Sequence, residues 1–192
     1  GVRRPAQPGD LWKYLDDGTD QGAAWQAVDF DDSAWKEGAG ELGYGDDSDS
    51  RPEVTVVSYG PSASAKYITT YFRKSFAVAD RNRVTGLGIS LLRDDGAAVY
   101  LNGNLIHLDD NLAFANPLTY TTFADSTGNE ATHDSYSLPG AAQFLQDGVN
   151  VIAVEVHQNT PGSSDVSFDL GLTGIEAGYA GAIFNDSDAE GN

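Results

Sequence analysis

Short runs of β-branched and aromatic residues, broken by glycine, asparagine and aspartate, set the pattern of this chain. The stretch Leu91–Gly103 organises the rest. An apolar run ends in the charged corner Arg93-Asp94-Asp95-Gly96, a strand follows from Ala97 to Leu101, and Asn102-Gly103 turns the chain into Leu105–Leu108. Asp-Gly and Asn-Gly favour the positive φ of tight hairpin turns, so two of them a few residues apart are expected to fix strand length and register. The other predicted strands are Leu11–Leu15, Lys66–Val78, Val84–Leu92, Ser135–Leu138, Val151–Gln158 and Val166–Leu172. Val54–Val57 is a short apolar patch, and Ala141–Gln146 reads as one helical turn. About eight strands, almost no helix and turn residues at every junction predict an all-β fold, an antiparallel β-sandwich. The segments do not repeat one another, which argues against a propeller or solenoid.

Between the strands lie less regular stretches. Gly1–Gly9, with Arg3, Arg4, Pro5 and Pro8, reads as a tether or an edge segment. Trp25–Trp35 is a compact motif whose two tryptophans suit either a sugar platform or core pillars beneath a loop, the second being the commoner use. Gly38–Gly45 reads as a glycine-rich loop. It has no lysine and no following helix, so it is not a phosphate loop. Asp109–Asn129 is a long polar segment with scattered aromatics, and loops of that length in a compact domain are usually functional or poorly ordered. We place one domain over residues 1–174 and an acidic, glycine- and aspartate-rich linker or tail over 175–192.

Composition narrows the function classes. The 192 residues carry 29 acidic and 11 basic side chains, a net charge of −18. Nucleic acid and anionic membranes are therefore poor partners, since both need a basic footprint. No apolar run approaches the roughly 20 residues that span a bilayer. There is no cysteine, which excludes disulfides, thiol catalysis and thiolate zinc sites. There is no methionine either, so Gly1 is expected to begin a mature form or an excised piece of something larger.

Several motifs together carry a family resemblance. They are Trp25…Phe30-Asp31-Asp32-Ser33-x-Trp35, Leu42-Gly43-Tyr44-Gly45, Ile68–Lys74, Arg93-Asp94-Asp95-Gly96…Val99–Gly103 and Asn150–Gln158. Over roughly Trp25 to Leu172 the chain resembles the galactose-binding-like jelly roll, in the form found beside enzymes in large secreted bacterial proteins. It is also similar to the sugar-binding domain of family 2 glycoside hydrolases. The resemblance implies two antiparallel sheets, often a structural calcium, and a ligand site on loops at one end or on a concave face. It is more specific for fold than for function, because such folds host sugar binding, docking and purely structural roles.

Three constellations are candidates for chemistry. Calcium takes six to eight oxygens from flexible loops, and Asp46, Asp47 and Asp49 offer three carboxylates in four residues. Asp16, Asp17 and Asp20 form a second cluster, and the tail Asp186-x-Asp188-x-Glu190-Gly191 copies the opening of a calcium loop. The second constellation is a polar stripe. On Val151–His157 the residues Ile152, Val154 and Val156 point one way, and Glu155 and His157 the other. If their strands are neighbours, Arg73, Arg93, Glu155 and His157 form one cluster. That cluster is either an internal salt-bridge network or a sugar-hydroxyl site with Asp94 at its corner and Tyr44 or Tyr71 as an aromatic wall. Third, catalysis finds little support: His107, His133 and His157 lack metal-binding spacing, and there is no Gly-x-Ser-x-Gly elbow.

The expected function is a non-catalytic, calcium-stabilised carbohydrate-binding module of a larger protein, secreted or at the cell surface. Its expected partners are a polysaccharide or glycan and neighbouring domains of the parent chain. The alternatives are a structural or adhesive spacer without a small ligand, and a polysaccharide-active hydrolase. The last needs two carboxylates facing each other across a cleft.

Overall fold

A computed structural model describes residues 1–46 and 52–177. Twelve strands are present among them: β1 (Val2–Ala6), β2 (Leu11–Leu15), β3 (Lys36–Ala39), β4 (Leu42–Tyr44), β5 (Thr55–Val56), β6 (Thr69–Val78), β7 (Val84–Asp94), β8 (Gly96–Leu101), β9 (Asn104–Leu108), β10 (Asp134–Leu138), β11 (Gly148–His157) and β12 (Val166–Glu176). One sheet runs β10-β7-β12-β4-β5, with β1 also on β12. The other runs β3-β2-β6-β11-β8-β9. All pairings are antiparallel except the short β4–β5 contact. The expected β-sandwich is the observed one. The short helical segments are single 3-10 turns, one of them Ala141–Phe144 where a helical turn was expected.

Alternation builds the core. Leu87, Ile89 and Leu91 of β7 face Phe72 of β6, Val99 and Leu101 of β8 and Ile152, Val154 and Val156 of β11 across the gap between the sheets. Phe72 and Phe168 stack across it with ring centroids 4.1 Å apart, and Trp12 meets Phe168 edge-on at 4.9 Å. Removing such surface from water is the main force holding the two layers together.

A second apolar cluster lies outside this core. Trp25 and Trp35 pack on Tyr71, Val151 and Ala153, on the face of the β6–β11 sheet that points away from the sandwich. Trp25 meets Tyr71 at 4.8 Å and Tyr100 at 5.7 Å, both edge-to-face. The tryptophans are therefore pillars beneath a loop, not a platform: Trp25 is fully buried.

The structure departs from the expected elements at Asp95-Gly96 and at Gly38–Gly45. Asp95-Gly96 does not close a hairpin, because β7 belongs to one sheet and β8 to the other. The chain crosses the sandwich there. A Cβ on Gly96 would lie 2.5 Å from Asn111 Oδ1 and 3.0 Å from the Leu112 side chain, so the glycine serves close packing and not a positive φ. Asn102-Gly103 does make the hairpin expected of it, with φ of 49° and 82° joining β8 to β9. Gly38–Gly45 is not a loop but includes parts of β3 and β4, whose glycines admit neighbours: a Cβ on Gly43 would collide with the Val166 carbonyl, and one on Gly38 with Thr55. The N-terminal segment forms an edge strand, β1, one of the two forms expected of it, and β12 runs to Glu176.

Candidate functional site

Strand β7 ends in buried charged residues, and its last two residues serve different sites. Arg93 is buried, and each of its three guanidinium nitrogens donates a hydrogen bond. Nε and Nη2 donate to the two oxygens of Asp109 at 2.7 Å each, Nη1 donates to Asp134, and Nη2 also donates to the Tyr136 hydroxyl at 2.8 Å. Asp109 also receives the Ala97 backbone N–H at 2.8 Å and stands 2.9 Å from His107 Nε2. Burial opposes ionisation of Asp109, but the bonds from His107 and Arg93 outweigh it and hold its pKa below the usual carboxylate value. Asp134 is held low chiefly by its bond from Arg93.

This network floors a polar pocket of about 270 Å³. The rings of His107 and Tyr136 lie 4.1 Å apart along it, and Asp110, Asn111, Ser126, Thr127, Gly128 and Asn129 form its rim. The pocket is thus built from β9, β10 and the two ends of the 109–129 segment. That segment is ordered: Leu112 and Ala124 are buried, Asp125 N–H bonds to Asn111 carbonyl, and Ala124 N–H bonds to Gln158 carbonyl.

Asp94 points to the other face of its strand. With Glu130 and Asp165 it brings one carboxylate oxygen from each residue within 4.8 Å of one another, the one such grouping of acids among the described residues. Asp94 is 1% exposed, and neither of its oxygens has a hydrogen-bond partner. Burial first, and the neighbouring Asp95, Asp165 and Glu130 carboxyls after it, push its pKa up to about 11. A buried polar group left without partners is uncommon and calls for an explanation. Asp46 joins the same end of the molecule. It is buried, its side chain accepts the Ser167 hydroxyl at 2.7 Å, and Ser167 pairs directly with Asp94 across the β12–β7 ladder. This acidic group can hold a metal ion. Its members come from three segments far apart in sequence, so local spacing carried no signal of Glu130 or Asp165.

The remaining expected site residues fall elsewhere. Asp47 and Asp49 lie outside the described residues. Asp16 is buried and committed to Ser58 N–H at 2.6 Å and Lys36 Nζ at 3.0 Å, while Asp17 and Asp20 bond Thr19 and Gly22 in local turns. Arg73, Arg93, Glu155 and His157 do not form one cluster, because Arg93 is on the opposite sheet. Arg73 instead clamps the loop over the second apolar cluster, donating to the carbonyls of Trp25, Ala27 and Phe30 and to Asp32 at 3.0 Å. Glu155 bonds His157 Nε2 at 2.8 Å, and His157 Nδ1 meets the Thr122 carbonyl at 2.7 Å. His157 is fully buried there, under the 109–129 segment. Tyr71 is 3% exposed within the tryptophan cluster, and the buried Tyr44 accepts a bond from Gln158 at 2.6 Å. Neither tyrosine offers an open ring face as a wall.

No protein-family model matches the chain, and no curated protein matches it. Solved structures do. A β-glucuronidase from Bacteroides uniformis superposes with a TM-score of 0.55 at 17% identity, over 92% of this chain and 18% of that one. A calcium-binding mutant of β-glucuronidase 2 from the same organism gives 0.54 at 19% identity, over 92% and 18%. A β-glucuronidase from glycoside hydrolase family 2 gives 0.52 at 12% identity, over 91% and 18%. The chain spans about a fifth of the length of these enzymes. At such identities the likeness is one of fold, and the chain is an all-β jelly-roll sandwich like one built into family 2 glycoside hydrolases.

Proposed function

We propose that the chain is a non-catalytic carbohydrate-binding module of a larger secreted or cell-surface bacterial protein, stabilised by calcium at its acidic loops. The observation that carries this reading is the pocket above Arg93. Its volume of about 270 Å³ is near the small end of ligand sites, suited to one sugar residue. Its rim supplies the amides, hydroxyls and carboxylate that exchange hydrogen bonds with sugar hydroxyls, beside the His107–Tyr136 ring pair. Arg93 donates from all three guanidinium nitrogens to Asp109, Asp134 and Tyr136 and holds them in place, while Asp110 and Asn129 on the rim meet the ligand. Of the seven ligand-binding residues expected from sequence, Arg93 alone belongs to this pocket. The sugar-handling neighbours and the small share of their length that this chain spans support a module attached to further domains. The Asp46–Asp49 loop is the calcium-binding segment expected from sequence, and Asp46 stands beside the Asp94 cluster.

The spacer reading also has an observation in its favour. The stripe at Arg73, Glu155 and His157 is satisfied internally, as a purely structural network would be. A screen of soluble glycans and insoluble polysaccharides, run in calcium with product analysis, separates the readings. A module retains at least one glycan and releases no sugar from it. A spacer retains none, and a hydrolase releases product.

A further inference from the structure

We propose that Asp94, Glu130 and Asp165 form a binding site for a hard divalent cation, calcium above all, which ties the corner after β7 to the loops before β10 and β12. This gives the calcium half of the reading above a specific place and rests on that half. It is independent of the carbohydrate half.

Two observations point to a cation. The first is spacing. Carboxylate oxygens bound to one calcium lie about 2.3–2.6 Å from it, hence up to about 5 Å from one another. The three carboxylates meet that limit at 4.8 Å without any rearrangement. The second is Asp94 itself. It is 1% exposed, both of its oxygens lack a hydrogen-bond partner, and it is directed at two further acids. A buried carboxyl without hydrogen-bond partners calls for one, and the described ion pairs include none at Asp94. A cation supplies the missing partner.

Ligand chemistry selects the class of ion. The group is all carboxylate, with no histidine, and the chain has no cysteine. Oxygen-only donors suit calcium, magnesium or manganese and not the softer transition metals. Ligands drawn from three separate segments, one of them exposed at Glu130, fit the flexible coordination of calcium better than the strict octahedron of magnesium. Asp46 and Asp95 nearby add negative potential. Glu130 adjoins Asn129 on the rim of the polar pocket, so an occupied site also holds the 126–130 stretch against Arg93 and Asp95, whose carbonyls already crowd Gly128.

The test uses the intact chain stripped with EDTA, then titrated with calcium chloride. Binding is read by calorimetry and by thermal unfolding, for wild type, Asp94→Asn and Glu130→Gln. Calcium is expected to bind the wild type and raise its Tm, by mass action on the native state. Each variant is expected to bind at least tenfold more weakly. In EDTA, Asp94→Asn is expected to unfold no lower than wild type, because the amide is close in size to the carboxyl and lowers the crowding of acids at the metal-free site. The exposed Glu130→Gln guards against misfolding as the cause of any loss. Undiminished calcium binding in both variants overturns the site and leaves the calcium reading standing. Absence of calcium binding in the wild type overturns both. Neither result bears on glycan binding, which is measured separately.

Discussion

Arg93 and Asp94 are consecutive residues of β7 whose side chains leave opposite faces of the strand and meet opposite fates. Arg93 is gripped by Asp109, Asp134 and Tyr136, while neither oxygen of Asp94 has a hydrogen-bond partner. One residue closes a polar network, and its neighbour leaves one open. The end of this strand therefore organises the chemistry of the molecule, as the sequence pattern around it suggested.

The Arg93 network gives the protein a defined response to acid. Replacing Arg93 with methionine leaves Asp109 buried without its cation and is expected to destabilise by about 3–5 kcal/mol in urea unfolding. The pKa values of Asp109 and Asp134 are depressed in the folded state. The stability they draw from Arg93 is present in full above the pKa of an unfolded carboxyl, about 3.9, and is lost as pH falls through the lower native values. The gap between wild type and Arg93→Met is therefore expected to narrow on acidification. A gap that stays constant or widens speaks against the network.

The loop carrying Trp25 and Trp35 is held by packing from below and by Arg73 from within. Trp25→Ala is expected to cost about 3–5 kcal/mol, the range for a large aromatic cut back in a core. Arg73→Met is expected to expose residues 20–35 to limited proteolysis before the sandwich itself unfolds. Cleavage that begins elsewhere contradicts this clamp.

Two glycines separate backbone strain from crowding. Gly103 has φ of 82° with open space around its Cβ position, so Gly103→Ala is expected to cost about 1 kcal/mol through backbone conformation alone. A Cβ on Gly43 meets the Val166 carbonyl, so Gly43→Ala is expected to disrupt the β4–β12 pairing and lower Tm much further. Equal Tm shifts in the two variants contradict the assignment.

What the sequence made legible follows from the range of each interaction. Runs of β-branched and aromatic residues marked β6, β7, β11 and β12, and on β11 the alternation of Ile152, Val154 and Val156 with Glu155 and His157 was legible as well. The Asn102-Gly103 hairpin was legible because its requirement is local. The corner at Asp95-Gly96 was misread as a hairpin because the same dipeptide also serves where a buried corner leaves no room for a side chain. The strands β3 and β4 were hidden by glycines that serve close approach. At the site, Arg93, Asp94 and Asp46 stood out as charges at a corner or in a cluster. Asp109, Tyr136, Glu130 and Asp165 did not, because long-range topology alone brings them to the same end of β7.

The measurement that tests the account most directly is glycan binding by the intact chain in calcium, compared with Asn129→Ala and Asp110→Ala. Both residues are exposed on the pocket rim; Asp110 stands apart from the Arg93 network, while Asn129 touches its edge through an amide bond to Asp134 at 2.9 Å. The account predicts a glycan that binds the wild type, is not hydrolysed, and loses at least tenfold in affinity in both variants, with the Tm of Asp110→Ala unchanged. A chain that binds no glycan, or one whose glycan binding ignores both substitutions, contradicts it.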